Sequence, residues 1–545
     1  MLASPLFFCS ILLSLSATVL SSPAQAPFNA HSNPPKKLHG RFLHITDIHP
    51  DPHYTPGTST ATACHRSKPA KHKDESHYFG TPYSDCDSPF RLTNFTLDYL
   101  DEHWADDIDF VLWTGDNARH DNDREIPRTP PEIYDLNRAV AAKMKKVFSS
   151  RGIPVVPSLG NNDIWRKIWS SFIPFPHLQV FQRGAYYAVE VIPDELAVIS
   201  LNTLYFYDSN KVVAGCPYTD RNDPGNLELD WMEVQLDMYR SRGMQVRSVW
   251  ISGHVPPSPG NYFPECYVRY AELALRYQDT ILGHVYGHMN VDHFFFLESI
   301  DLEIVSDDKR QYDTSSEEGL FQTLMKEFEA LPKEANEADL DNYAVVNVGP
   351  AVVPNPYVPT FRIFSYNNTE KMLTKTGSKR QHGHRRGDRK DKDTQCQMDE
   401  YKDTWRCHLN RERYSDSDSP SRRNQRFTPL GFAQYYIRNL EQANKTHGPG
   451  FELEYLTYPL ESLHPGTSSS GVGSEEADDF VYPIPVRHLP ESLRRPGIGD
   501  SYYAPYGMED LTIGSYMGLA KNVAKRRKLQ RLFRQYMFQG GEEEK

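Results

Sequence analysis

Phe42-Leu43-His44-Ile45-Thr46-Asp47-Ile48-His49 is an apolar, β-type run that ends in Asp-x-His. The i, i+2 spacing puts Asp47 and His49 on one side of an extended segment. The same pattern recurs downstream. Phe110 to Trp113 leads to Gly115-Asp116, and Ile153 to Val156 leads to Gly160-Asn161-Asn162-Asp163. Val249 to Ile251 leads to Gly253-His254, and Thr280 to Leu282 lies just before Gly287-His288-Met289-Asn290. Each motif sits at a predicted strand end, where an open α/β sheet gathers its ligands. A lone Asp-x-His or Gly-His is usually incidental. Five such motifs in order point to one site.

From Leu38 to about Tyr366, β-type runs alternate with helical segments. Leu136 to Phe148 and Leu227 to Arg240 read as helices, Ala197 to Leu201 and His293 to Leu297 as strands. This alternation predicts an α/β sandwich, with a catalytic domain over residues 38–370.

The flanks read differently. No Lys, Arg, Asp or Glu precedes Lys36, and apolar Leu6 to Leu20 is followed by Ala24-Gln25-Ala26. Residues 1–26 therefore read as a cleaved signal peptide or an uncleaved signal anchor, short of the ~20 apolar residues of a full span. Residues 27–37 read as a linker. Over 371–426 apolar residues nearly vanish, around Lys379-Arg380-Gln381-His382-Gly383-His384-Arg385-Arg386 and Ser415-Asp416-Ser417-Asp418-Ser419. That composition predicts a disordered charged insertion. Residues 427–520 are expected to pack on the catalytic domain, with a helix near Ala433 to Asn444, a strand at Phe451 to Leu456 and a loop at Gly466 to Asp479. Residues 521–545 read as a basic helical tail, with seven Lys or Arg between Lys521 and Arg534. A solvated helix is the favoured reading over one that touches a membrane or an anionic substrate.

The chain has 545 residues, 39% hydrophobic and 24% charged, with a net charge of −12. Without a general positive charge no nucleic-acid partner is expected, and any polyanion must be met by local patches or metal ions. Apart from Cys9 in the leader, the cysteines are Cys64, Cys86, Cys216, Cys266, Cys396 and Cys407. An even set in an exported chain predicts disulfides. Pairing sequence neighbours is the simplest choice: Cys64–Cys86, Cys216–Cys266 and Cys396–Cys407. Asn94, Asn367 and Asn444 head glycosylation sequons.

Cleaving a phosphate ester or anhydride needs a nucleophile, charge neutralisation and a stabilised leaving group. Two divalent ions about 4 Å apart supply all three. Asp116 is the candidate bridge, Asp47 and His49 would hold the first ion, and Asn161, His254 and His288 the second. Oxygen and imidazole ligands without thiolate suit Mn, Mg, Co, Zn or Fe.

The motif set resembles the calcineurin-like metallophosphoesterase superfamily. Ser252-Gly253-His254-Val255-Pro256-Pro257 and Gly287-His288-Met289-Asn290-Val291-Asp292-His293-Phe294 resemble its acid-sphingomyelinase-like branch. Gly160-Asn161-Asn162-Asp163, with Tyr286-Gly287-His288-Met289-Asn290, is similar to the fungal vacuolar endopolyphosphatases. The likeness spans roughly Leu38 to Tyr366 and continues in Pro429-Leu430-Gly431-Phe432-Ala433-Gln434-Tyr435-Tyr436. It implies a two-sheet β-sandwich flanked by helices and internal cleavage of inorganic polyphosphate by a metal-bound hydroxide. It also implies a vacuole lumen or membrane location reached through the secretory pathway.

Two positions depart from the superfamily pattern. Asn162 stands where the superfamily usually has a proton-donating His, and Asn290 replaces the last His of Gly-His-x-His. Asn290 then ranks as a ligand to the first ion, ahead of His284 and His293. Asn162 is expected to hydrogen-bond the substrate. A polyphosphate leaving group needs no proton, because the second pKa of phosphate is only ~6. Arg119, His120 and the stretch His65 to Lys73 are the candidate cationic guides. The rival readings are a sphingomyelinase-like phosphodiesterase and a non-catalytic polyanion-binding relative. Activation by a maturation protease cutting within 371–426 is a further expectation.

Overall fold

The computed structural model describes residues 37–541, apart from 165–166, 243–247, 305–318, 333–339, 370–393, 411, 416, 465–482 and 496–501. The leader, the His-rich run 379–386 and the loop 466–479 lie outside the described residues. Among the described residues no helix is long and apolar enough to cross a membrane.

Numbered along the chain, the first seven strands are β1 Arg41–Ile45, β2 Pro50–Asp51, β3 Ser88–Pro89, β4 Phe110–Trp113, β5 Val155–Pro157, β6 Tyr187–Ile192 and β7 Leu196–Ser200. Then come β8 Ser248–Ser252, β9 Ile281–Tyr286, β10 His293–Glu298, β11 Tyr343–Val348, β12 Thr360–Tyr366, β13 Pro429–Tyr436 and β14 Glu452–Leu456. They build two six-stranded sheets, ordered β14-β13-β12-β1-β4-β5 and β10-β11-β9-β8-β7-β6, plus the short pair β2-β3. β1, β4 and β5 run parallel in the first sheet, and β7, β8 and β9 in the second. The expected α/β sandwich is therefore present, and all five motifs follow the C-terminal ends of parallel strands. β9 extends past the predicted run and delivers Gly287 directly.

The core explains why the register holds. Phe42 stacks on Phe110 and Phe364, its cross-strand partners, at 4.7 and 4.9 Å, and meets Trp250 of the other sheet edge-on at 5.1 Å. A slip by one residue would turn this aromatic set out of the core. Helices Pro130–Val147 and Pro224–Ser241 flank the sheets, each begun by a capping side chain, Thr129 and Asp223, with Pro at the first turn.

Three expectations need correction. The helix near Ala433 to Asn444 is β13 as far as Tyr436, followed only by a short turn at Leu440–Gln442. Pairing with β12 on one side and β14 on the other overrides local propensity. Of the charged insertion, residues 371–393 lie outside the described residues, while the described residues from 394 onward pack against the body. Cys396 bonds Cys407, the Trp405 indole N–H donates to Cys216 O at 2.8 Å, and Ser421 Oγ donates to Gln278 O at 2.7 Å. A staple, one buried Trp and backbone pairing hold a segment poor in apolar residues. Finally, the boundary at 521 cuts helix Ile513–Lys525, and the next helix, Arg527–Met537, is not simply solvated. Its Phe533 packs on Phe294 and Phe328, and Tyr536 on Tyr455. The other two disulfides also pair as sequence neighbours, Cys64–Cys86 and Cys216–Cys266.

Candidate active site

The ligand candidates sit on strained backbone. Asp47, His49, Asp116, His288 and Asn290 all have positive φ, between 40° and 71°. Each costs about 1–2 kcal/mol outside glycine, so the surrounding loops must impose it. They do so by lacing together. Asp47 N–H donates to Gly115 O at 3.0 Å, Ile48 N–H to Asp116 O at 2.9 Å and Val353 N–H to Asp47 O at 2.8 Å. Two glycines permit the close approach. A Cβ at Gly160 would lie 2.0 Å from Asp116 Oδ1, and one at Gly287 2.0 Å from Thr46 Oγ1.

Asp116 is the centre. Its Oδ1 accepts from Asn162 N–H at 2.8 Å and its Oδ2 from Asn162 Nδ2 at 2.7 Å. His49 Nε2 and His254 Nε2 stand 3.4 and 3.3 Å from the same Oδ2. The Nδ1 atoms of these histidines lie 2.8 Å from Ala118 O and 2.7 Å from Thr114 O. Donating there aims each Nε2 inward, so that on losing its proton to a cation it presents a lone pair, as in metal-ligating histidines. Two sets of ligand atoms each lie within 4.8 Å of one another: Asp47, Asp116 and His254, and His49, Asp116 and His120. Asp116 belongs to both.

The donor set is short of protons and therefore fits a cation. Asp47 Oδ1, His49 Nε2 and Asn290 Oδ1 are buried without a hydrogen-bond partner. The Asn290 amide is oriented by Nδ2, which donates to Asn355 O at 2.9 Å. Asn161 Oδ1 lies 3.0 Å from His254 Nε2, an acceptor facing a lone pair whenever that imidazole is neutral. Buried polar atoms are normally matched, and a hard or borderline divalent ion matches oxygen and imidazole together. The electrostatics agree. Burial alone would lower the pKa of His49 and His254, but Asp116 and Asp47 outweigh it and raise both to about 9. At His288 the same two carboxylates are outweighed. Burial and the neighbouring His254 push it down to about 4, so it stays neutral and able to ligate.

Residues 40–292 match the calcineurin-like phosphoesterase family model. Over nearly its full length the chain is similar to an endopolyphosphatase of Cryptococcus neoformans var. neoformans serotype D, 35% identical over 684 aligned positions that cover 98% of each protein. The chain belongs to the endopolyphosphatase family of calcineurin-like phosphoesterases. It is 45% identical to an endopolyphosphatase of Saccharomyces cerevisiae over 283 positions, 48% of this chain and 41% of that one. It is 37% identical to one of Schizosaccharomyces pombe over 366 positions, 61% of this chain and 62% of that one. Calcineurin-like phosphoesterases use divalent metal ions, and the two sets around Asp116 are candidate ligands here.

With the family known, the other expected residues can be placed. The His288 ring meets His254 and Tyr207 edge-on, and its backbone N–H donates to Asp47 Oδ2 at 3.0 Å. Arg119 is not a substrate guide. It is 1% exposed, and its guanidinium is used up by Glu132 and by the carbonyls of His120 and Ile126. His120 does reach the site, but in ligand range. It stacks on His49 at 3.9 Å, with Nδ1 2.7 Å from Asp87 Oδ1. In the stretch His65 to Lys73, His65 lies between Asp51 and Asp123, 2.7 Å from each. His284 is a neutral core residue, 2.6 Å from Tyr270 OH. His293 faces Val291 O.

Two residues escaped the sequence reading. Arg128, half-buried, donates to Asn162 Oδ1 at 2.6 Å. Asp163 accepts from the backbone N–H groups of Gly160, Asp116 and Asn117 and from the Asn117 and Asn137 amides, tying motif two to motif three. Asp163 stood in its motif and could have been singled out, whereas nothing local marks Arg128. Of the sequons, Asn94 and Asn444 are exposed, while the half-buried Asn367 donates to Asn424.

Proposed function

We propose that the protein hydrolyses internal phosphoanhydride bonds of inorganic polyphosphate to shorter chains, with two divalent ions that share Asp116. One observation carries this reading: two overlapping ligand sets meet at Asp116 in a chain whose full length matches an endopolyphosphatase. Asp47 and His254, with Asn161 and His288, would serve one ion, and His49 and His120 the other, with the Asn290 oxygen as a further ligand. Bound there, the ions supply Lewis-acid polarisation and a water of lowered pKa.

The chain's own residues do the rest. Asn162 fixes both oxygens of Asp116 and so positions the shared carboxylate. Its amide has no acidic proton to transfer, which suits a phosphate leaving group that is stable as an anion. Arg128, beside Asn162, offers a planar fork for phosphoryl oxygens. The three disulfides support an oxidising compartment, in line with a vacuolar lumen or membrane location. A maturation cut within 371–426 remains part of this reading.

The test is incubation with long-chain polyphosphate and Mn or Co, with product lengths followed on a gel. Mid-length fragments that vanish in Asp116→Asn are expected. Turnover of a phosphodiester in place of polyphosphate would favour the sphingomyelinase-like reading. Turnover of neither would favour a binding-only relative.

A further inference from the structure

The protein as a whole repels its proposed substrate, since its net charge is −12. Of the cations expected to guide a polyanion to the site, the two arginines, His65 and His120 are paired with carboxylates, while Lys68, Lys71 and Lys73 stay exposed on a loop. Arg119 is closed off by Glu132, and Arg66 is paired with Asp123 and Glu125. The C-terminal helices differ. Lys525, Arg526, Arg527, Lys528, Arg531 and Arg534 are all exposed, and none makes an ion pair among the described residues. They fall within ten positions, on a rigid support. Helix Arg527–Met537 turns Phe533, Tyr536 and Met537 into the body, and its basic residues stay on the exposed side.

The position of this helix matters as much as its charge. Past its end, Phe538 packs on Tyr357, and Gln539 Oε1 accepts from Val358 N–H at 3.0 Å. The same strap supplies Asn355 O to the Asn290 amide and Val353 N–H to Asp47 O. One short segment therefore joins the basic helix to the site. Beside the helix lies a cleft of about 670 Å³, with Arg526 and Lys528 on its wall, Asn522, Tyr502 and Tyr506 among its other lining residues, and Glu509 as its carboxylate.

We propose that helix Arg527–Met537 and the adjoining Lys525 and Arg526 form an accessory site for the polyphosphate chain, which holds the substrate at a distance while Asp116 and its neighbours cut it. This rests on the polyphosphate reading above. Eleven helical residues span ~16 Å, enough to engage several successive phosphates. Such a site distinguishes long chains from short ones, because a short chain cannot occupy both places at once.

The test uses the full chain with Lys525, Arg526, Arg527, Lys528 and Arg531 all changed to Gln. Arg534 is kept, because it lies over the Phe321 ring. In an Asp116→Asn background, affinity for long-chain polyphosphate is expected to fall about tenfold or more. The slope of log Kd against log salt should become shallower by about 2 to 4. With Asp116 intact, KM for long chains should rise while kcat/KM on tripolyphosphate holds. If the fivefold variant fails to fold, Arg527→Gln/Arg531→Gln should show the same pattern with a slope change of about 1. Unchanged long-chain Kd and KM would overturn the proposal. So would a loss that appears only in Lys68→Gln/Lys71→Gln/Lys73→Gln, or one confined to vesicles containing anionic lipid. Patch-dependent binding by a wild-type protein that cuts no polyphosphate would sink the activity reading and leave the accessory site standing.

Discussion

Two buried polar centres lie two residues apart on one loop, and they are finished differently. Behind the site, Arg362 is 1% exposed. Its Nε donates to Gln434 Oε1 at 2.7 Å, its Nη1 to Val348 O at 2.9 Å and its Nη2 to Asp292. Asp292 Oδ2 accepts from Gln434 Nε2 and Tyr455 OH, and Gln434 reaches on to Glu454. At Asn290, by contrast, the oxygen has no partner, and neither have Asp47 Oδ1 and His49 Nε2. The polar atoms are buried in both places, but satisfaction is opposite. A closed network fixes a fold, and breaking it leaves a charge stranded. An open one keeps coordination to give, and the closed network next to it holds the loop still while it does so.

The sharpest way to break this contrast is to delete one charge from each centre. Asp116→Asn should lower kcat/KM by about a thousandfold or more and leave metal-free stability nearly unchanged. Arg362→Ala should cost about 3–5 kcal/mol, because Asp292 is left buried and unpaired. Denaturant unfolding beside steady-state rates would separate the two. Equal loss of stability in both variants would erase the distinction. Next in size is Gly160→Ala. Its Cβ would meet Asp116 Oδ1 at 2.0 Å, so the carboxylate must move, and a shift of that order costs about a hundredfold in rate. Metal-free stability should fall far less than with Arg362→Ala, and full activity would mean that Asp116 tolerates displacement.

The open centre was largely legible in the sequence and the closed one was not. A β-run followed by Asp-x-His or Gly-Asp is a local signal, and it placed Asp47, His49, Asp116, Asn161, His254 and His288 at strand ends. What it could not show is the left-handed backbone that turns them to a common point, since this is imposed by neighbouring loops. Arg119 misled because its partner, Glu132, is on the helix that follows. Gln434 misled because its strand forms only with β12 and β14 on either side. The packing of the described residues between 394 and 426 depends on a disulfide and on Trp405 docking against Cys216 O, which composition does not record.

A smaller effect sharpens the role of Asn162. It is held from both sides, by Asp116 and by Arg128. Asn162→His would replace an amide that orients the shared carboxylate with a group able to protonate an alkoxide. Activity on a phenyl phosphate ester should rise by about tenfold to a hundredfold, while polyphosphate cleavage should fall, by less than with Gly160→Ala because the backbone N–H of residue 162 still holds Asp116 Oδ1. Equal effects on both substrates would show that position 162 does not discriminate between leaving groups.

The smallest effect tests the closed centre by pH. Burial raises the Glu454 pKa from 4.5 to about 8, more than the Gln434 hydrogen bond lowers it. The folded protein thus binds this proton more tightly than the unfolded chain does. Its contribution to stability is complete below about pH 4.5 and is lost as pH rises through 8. Glu454→Gln should flatten the decline in unfolding midpoint between pH 5 and 8 without changing turnover, because the amide still accepts from Gln434 and carries no charge beside Asp292. An unaltered slope would mean that Arg362 already balances two carboxylates. The closed centre would then be a matched set of charges with no proton stored in it.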